Sequence, residues 1–163
     1  MSESILALGD SHGGRGEVEK LVALYAKAVS AVVHLGDCVS DVAAAKLRYP
    51  HLPFYIVPGN CDAHSCRDMP DSADFCLGGR KIILTHGHRF GVKDSYDLIS
   101  RWARENGADV CLFGHTHMPD IFYEGKCLMF SPGSLTRPRI GRPSYGVVSI
   151  TRNGVAGRHV FIG

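Results

Sequence analysis

Short apolar runs that end on glycine alternate, through the first third of the chain, with stretches whose apolar residues recur at helical spacing. Ile5 to Leu8 stops at Gly9, Ala31 to Leu35 stops at Gly36, and Phe54 to Val57 breaks at Pro58-Gly59. Runs of this length bounded by turn residues read as buried strands. Between them, Val18, Leu21, Val22, Tyr25, Ala28 and Val29 line one face of a helix predicted over 17–29. An alanine-rich stretch predicts a second helix over 41–49, closed by Pro50. This strand-helix-strand-helix-strand rhythm implies parallel pairing through right-handed crossovers.

The pattern then changes. Apolar segments 75–77 and 81–84 flank Gly78-Gly79, a hairpin signature. A helix is predicted over 94–106, carrying Leu98, Ile99, Trp102 and Ala103 and stopped by Gly107. Strands follow over 110–113, 121–123, 128–130, 145–150 and 155–162, joined by turns such as Asn153-Gly154. There is no repeat, low-complexity segment or linker. The expectation is one α/β domain over 1–163, with two sheets packed face to face and helices outside.

Composition narrows the function classes. Among 163 residues an apolar fraction of 45% is ample for a core, and a net charge of +2 is too small to mark a nucleic-acid or membrane surface. Arg137, Arg139 and Arg142 gather late, as local anion binders or as a solvated loop. The six cysteines show no CxxC pair and read as reduced, buried thiols. The first residues lack the features of a signal peptide, and no apolar stretch is long enough to span a bilayer. A cytoplasmic location is expected. A homo-oligomer is open, since no surface stripe argues for one.

Polar residues at the strand ends change the picture most. Gly9-Asp10-Ser11-His12, Gly36-Asp37, Gly59-Asn60-Cys61-Asp62, Thr85-His86-Gly87-His88 and Gly114-His115-Thr116-His117 each follow an apolar run. In open α/β sheets ligands bind beyond the carboxyl ends of strands, so these loops can converge on one crevice. Asp10 with His12, and His115 with His117, offer two ligands from one segment; Asp37 stands alone as a natural bridging carboxylate. Asn60 adds an amide oxygen and His86 an imidazole. Mixed oxygen and nitrogen ligands without thiolate suit Mn, Fe or Zn better than Mg or a structural zinc site. A single Asp after a strand is usually a turn or capping residue, but turn chemistry does not call for repeated histidine. His34 and His51 read as structural or surface, His159 as solvent-facing, Cys61 as buried or as a support behind the ligands before a soft ligand, and Met118 and Met129 as core filler.

The order D-x-H, G-D, G-N-x-D, a later His and G-H-x-H resembles the calcineurin-like metallophosphoesterase superfamily, and in particular its small YfcE-type phosphodiesterases. That resemblance implies a β-sandwich of two mixed sheets flanked by helices, in four α/β/β/α layers, around a dinuclear centre. One metal would take Asp10, His12 and His117, the other Asn60, His86 and His115, with Asp37 bridging both. Mn is favoured, with Fe, Zn and Ni as alternatives. A bridging hydroxide would attack phosphorus in line on a small phosphate ester, a diester before a monoester. Much of the superfamily has His after the Asn, where this chain has Cys61, a poor acid. His88 or His64 is left to take its place, which makes Asp37, Asn60 and His88 the catalytic candidates. Asp62 would orient a ligand histidine, and Ser131-Pro132-Gly133-Ser134 resembles the family's late Asn-Pro-Gly-Ser segment.

Three rival readings remain. A binding scaffold, like the retromer scaffold subunit, predicts lost ligands, whereas all seven are present. A phosphomonoesterase would want extra cations, for which Arg137 or Arg139 is available. A serine esterase built on Gly9-Asp10-Ser11 needs a late Asp-x-x-His, but Ala156 stands three residues before His159.

Overall fold

The structure, a computed structural model, describes residues 2–163. Ten strands and three α-helices follow in the order β1 (Glu3–Leu8), α1 (Arg15–Tyr25), β2 (Ala31–His34), α2 (Ala43–Arg48), β3 (Phe54–Ile56), β4 (Ser72–Leu77), β5 (Arg80–Thr85), α3 (Asp97–Glu105), β6 (Val110–Phe113), β7 (Pro119–Glu124), β8 (Cys127–Pro132), β9 (Ser144–Thr151) and β10 (Gly154–Phe161). They form two five-stranded sheets, β10-β9-β1-β2-β3 and β4-β5-β6-β8-β7. Strands β1, β2 and β3 pair in parallel, as do β5, β6 and β8. Antiparallel partners close the outside of each sheet: β9 and β10 on the first, β4 and β7 on the second.

Alternation within the apolar runs makes the layers. Ile5 and Ala7 of β1 face inward with Val33 and Leu35, against Ile82, Leu84, Leu112, Leu128 and Phe130 of the second sheet. Leu6, Leu8 and Val32 face outward beneath Val18, Leu21 and Val22 of α1 and Ala45 of α2. On the far side Ile83, Cys111, Phe113 and Met129 lie under Ile99 and Ala103 of α3. A strand covered on both faces must be apolar throughout, hence the unbroken runs. The architecture is the four-layer α/β/β/α sandwich expected.

Several boundaries move. Helix α1 ends at Tyr25 rather than 29, because the Tyr25 carbonyl takes both the Ala28 and Val29 N–H at 2.7 and 3.0 Å and turns the chain. Helix α3 starts at Asp97 rather than 94. The Gly91 carbonyl holds the N–H groups of Asp94 and Ser95, and Ser95 Oγ accepts the Asp97 N–H at 3.1 Å. Helix α2 loses its predicted first residues to a 3₁₀ turn over Val39–Val42.

His159 is not solvent-facing: its ring stacks on Phe130 at 4.5 Å and Nε2 donates to the Ser131 carbonyl at 2.8 Å. Gly157 makes room, since a Cβ there would meet the Phe130 ring at 2.6 Å. The cysteines are unpaired, but only Cys111 and Cys127 are buried; Cys61 and Cys76 are exposed, Cys76 because the outer strand β4 turns it outward. Met129 fills the core and Met118 is half-buried at the rim. Among the described residues no helix is long and apolar enough to cross a membrane.

Candidate metal centre

Both sheets deliver their parallel strands to one rim, where the following loops interlock. The Asp10 N–H bonds the Gly36 carbonyl at 3.1 Å and the Gly114 N–H bonds the His86 carbonyl at 3.0 Å. Across the sandwich, the His115 N–H donates to Asp10 Oδ2 at 3.0 Å, and within the first sheet the Cys61 N–H, after β3, donates to Asp37 Oδ1, after β2, at 2.9 Å. These bonds gather two ligand groups whose donor atoms all lie within 4.8 Å of one another. One is Asp10, His12, Asp37 and His117; the other is Asp37, His86 and His115. Asp37 belongs to both. Asn60 joins the second through Oδ1, 3.1 Å from His86 Nε2.

The backbone marks the same residues independently. Among the described residues six non-glycine positions have positive φ: Asp10, His12, Asp37, Cys38, His115 and His117. Five of them are ligand candidates. Left-handed backbone is costly for such residues and is kept where surrounding structure over-determines it, typically at functional sites. Gly36 and Gly59 let the two neighbouring loops touch. A Cβ on Gly36, at φ +92°, would sit 2.8 Å from Gly59 Cα, and one on Gly59 would meet the Asp37 carboxylate.

Hydrogen bonds settle how two histidines face the site. His86 Nδ1 gives its proton to the Leu35 carbonyl at 2.6 Å, and His117 Nδ1 to the Arg137 carbonyl at 2.7 Å. Each neutral ring therefore turns a bare Nε2 lone pair inward. His86 Nε2 meets Asn60 Oδ1 and His115 Nδ1, both at 3.1 Å, and His117 Nε2 meets Asp10 Oδ1 at 3.3 Å. Asp10 Oδ1 is buried without a hydrogen-bond partner. Acceptors converging on acceptors ask for cations between them, so the residues present fit a pair of divalent metals.

Electrostatics agree. Burial lowers the His12 pKa and brings that of His115 to about 4, with the neighbouring His86 and Lys93 acting in the same direction, so both favour the neutral, ligating form. His117 is the exception: its pKa is raised, first by the Asp10 carboxylate facing its Nε2. Burial works to raise the Asp37 carboxyl, but His86, the Cys61 N–H and His12 outweigh it and hold the group below its ordinary value.

Behind the ligands lies a buried polar chain. Gly36 N–H approaches His34 Nδ1 at 3.3 Å, which leaves the His34 Nε2 proton for Ser11 Oγ at 3.0 Å. Ser11 Oγ in turn donates to Asp41 Oδ2 at 2.7 Å, which also takes the Gly13 N–H at 2.9 Å. Ser134 Oγ donates to the Asp10 carbonyl at 2.7 Å, and Thr136 Oγ1 to the Ser11 carbonyl at 2.9 Å. Ser11, Asp41, Ser134 and Thr136 were not singled out as support, because ordinary polar residues carry no signal until the loops are folded together. The one hint was the late Ser-Pro-Gly-Ser segment.

Two expectations are corrected. Asp62 orients no histidine: it accepts the N–H groups of Cys38 and Val39 at 3.0 Å and of Gly59 at 2.8 Å, lacing two loops together. Cys61 is exposed rather than buried, yet its thiol is pushed up to about 11, by desolvation against the site wall and then by Asp37. Of the two replacement acids, His88 lies beside the second group, 5.3 Å from the His86 ring and 6.0 Å from the His115 ring. His64 is exposed and in neither group. Arg137 and Arg139 serve through backbone: besides the Arg137 carbonyl, the Arg139 N–H donates to the His117 carbonyl at 3.0 Å.

A sandwich of two mixed five-stranded sheets with this donor set at its rim is the arrangement of the metallophosphoesterase fold. The calcineurin-like phosphoesterase superfamily domain matches residues 4–153, and the chain belongs to that family. Among its relatives, the probable metallophosphoesterase YsnB of Bacillus subtilis is 34% identical over 149 residues, covering 90% of this chain and 84% of its own. Phosphodiesterase YfcE of Escherichia coli is 28% identical over 165 residues, covering 88% and 86%. A Streptococcus pneumoniae protein described as a predicted phosphoesterase superposes with a TM-score of 0.84 at 31% identity, over 99% of this chain and 90% of that one. Vacuolar Protein Sorting 29 from Cryptosporidium parvum shares the fold at a TM-score of 0.75 and 21% identity, over 99% of both chains.

Proposed function

We propose that the chain is a metal-dependent phosphodiesterase with a dinuclear centre. Asp10, His12 and His117 would hold one metal, Asn60, His86 and His115 the other, and Asp37 would bridge them. The observation that carries this is the sharing of Asp37 by two donor groups whose lone pairs converge. Two bound divalent cations, Mn before Fe, Zn or Ni, supply a clamp for the phosphate and a nucleophile at neutral pH.

The chain's own residues set the geometry. The Leu35 and Arg137 carbonyls fix the tautomers and ring planes of His86 and His117, so neither ligand must reorganise. Cys61, with its raised pKa, keeps its proton and is a poor general acid, which favours esters with good leaving groups. His88, beside His86 and His115, would then meet the leaving oxygen on the Asn60 side. The preference for diesters draws support from the likeness to phosphodiesterase YfcE.

The test is hydrolysis of bis-p-nitrophenyl phosphate against p-nitrophenyl phosphate by chelator-stripped protein, with and without Mn²⁺. Metal-dependent cleavage favouring the diester is expected. Two bound metals without cleavage of either ester would instead favour a binding scaffold, and a preference for the monoester would make the chain a phosphomonoesterase.

A further inference from the structure

Beside the second ligand group the rim opens into a hollow of about 240 Å³, between the loop after β3 and the loop after β5. Asn60 and His88 form its inner wall, so it begins where the ligand groups end. Arg67 reaches it from one loop and Arg89 from the other, with Asp71 and Met69 completing the lining. Arg89 Nε pairs with Asp71 Oδ2 at 2.8 Å, while Arg67 is in no ion pair among the described residues. Asp68 follows Arg67 in sequence but does not line the hollow.

Two guanidinium groups against one carboxylate leave a positive balance, with an apolar methionine between. The volume is below the roughly 300–1,000 Å³ of a pocket that swallows a whole small ligand, so it suits one substituent of a larger one. Arginine is the side chain best shaped to hold a carboxylate or phosphate group through paired N–H donors.

We infer that this hollow is a subsite for one arm of the phosphoester substrate, and that Arg67 and Arg89 select an arm ending in a negatively charged group. The inference rests on the phosphoesterase reading of the adjacent ligand groups. A phosphorus held over Asn60 directs one ester oxygen into the hollow; Met69 packs the carbons of that arm, and the two arginines take its anionic end. A neutral aryl or alkyl arm leaves both arginines facing water and gains only the apolar contact.

Binding tests this without turnover. Calorimetry on the Mn-loaded full chain would compare 2-carboxyethylphosphonate with propylphosphonate, its counterpart lacking the carboxylate. The carboxylated compound is expected to bind about fivefold more tightly, since both arginines are partly exposed. Arg67→Gln with Arg89→Gln should bring the ratio to about one, and Arg67→Glu should push it below one. Equal affinities in the unaltered protein, no binding of either compound, or a preference that survives the double substitution would each overturn the subsite. Cleavage of p-nitrophenyl 2-carboxyethyl phosphate and p-nitrophenyl propyl phosphate separates the two levels. Selective binding with neither ester cleaved would refute the phosphoesterase reading and leave the subsite standing, whereas cleavage of both at equal rates with equal binding would do the reverse.

Discussion

The interior of the sandwich and its rim are built from the same ten strands by opposite rules. Between the sheets the fully buried inward residues of β1, β2, β5, β6 and β8 are all apolar. At the rim, in the last residue of β2 and in the loops that follow the parallel strands, His34, Asp10, Asp37, Asp41, Asp62 and His86 are all buried, and five ligand candidates have left-handed backbone. The interior is stable because it excludes polar atoms. The rim is tolerated because nearly every buried polar atom there is answered, by a carbonyl, an N–H or another side chain. Among the described residues the buried side-chain nitrogen and oxygen atoms without a partner are Asp10 Oδ1, in the first ligand group, and His88 Nδ1, beside the second. The lesson is that strain and unanswered polarity collect where chemistry is expected, carried by a core that has none.

The sharpest way to break this contrast is Asp37→Asn. It keeps shape but removes the shared charge, and activity should fall on the order of 10³-fold, with the urea midpoint held or raised. Parallel activity and unfolding measurements check it. The converse is Phe130→Ala in the core, which should destabilise by roughly 4 kcal/mol while the folded protein keeps its metal stoichiometry.

His34 joins the two regions, since it is fully buried yet titratable. Burial lowers its pKa to about 4, and the nearby Asp10, Asp62 and Asp41 only partly oppose this. The folded state thus binds fewer protons than the unfolded one between that value and an ordinary histidine's roughly 6.5. Stability from neutral His34 is complete above about 6.5 and is lost as pH falls toward 4, by roughly 3 kcal/mol at most. Urea midpoints of the parent and His34→Gln over that range should converge on acidification. Parallel profiles would contradict the assignment. The smallest effect is expected from Ser11→Ala, which cuts the chain linking His34 to Asp41. Metal affinity should drop about tenfold with a small change in stability, read by metal titration.

Most of the fold could be read from the sequence because doubly covered strands must be apolar throughout, and such runs are hard to miss. Helix ends were harder: single carbonyls at Tyr25 and Gly91 decided them, and no pattern announces which carbonyl will capture which N–H. The ligand candidates stood out because histidine in turns needs a reason. Asp41, Ser134 and Thr136 did not, since each acts across more than 25 residues of sequence, on Ser11, Asp10 or Gly13. Asp62 is hidden for the same cause: an acid two residues from a ligand amide suggests an imidazole partner, yet its oxygens take three backbone N–H groups. His159 looked exposed because alternation in β10 was read without the glycine that lets Phe130 come under it.

The most direct measurement is electron paramagnetic resonance on protein loaded with two equivalents of Mn²⁺, beside Asp37→Asn. A carboxylate shared by two metals predicts a spin-coupled pair in the parent and isolated Mn²⁺ signals in the variant. Uncoupled signals in the parent, or coupling that survives Asp37→Asn, would contradict the bridging role.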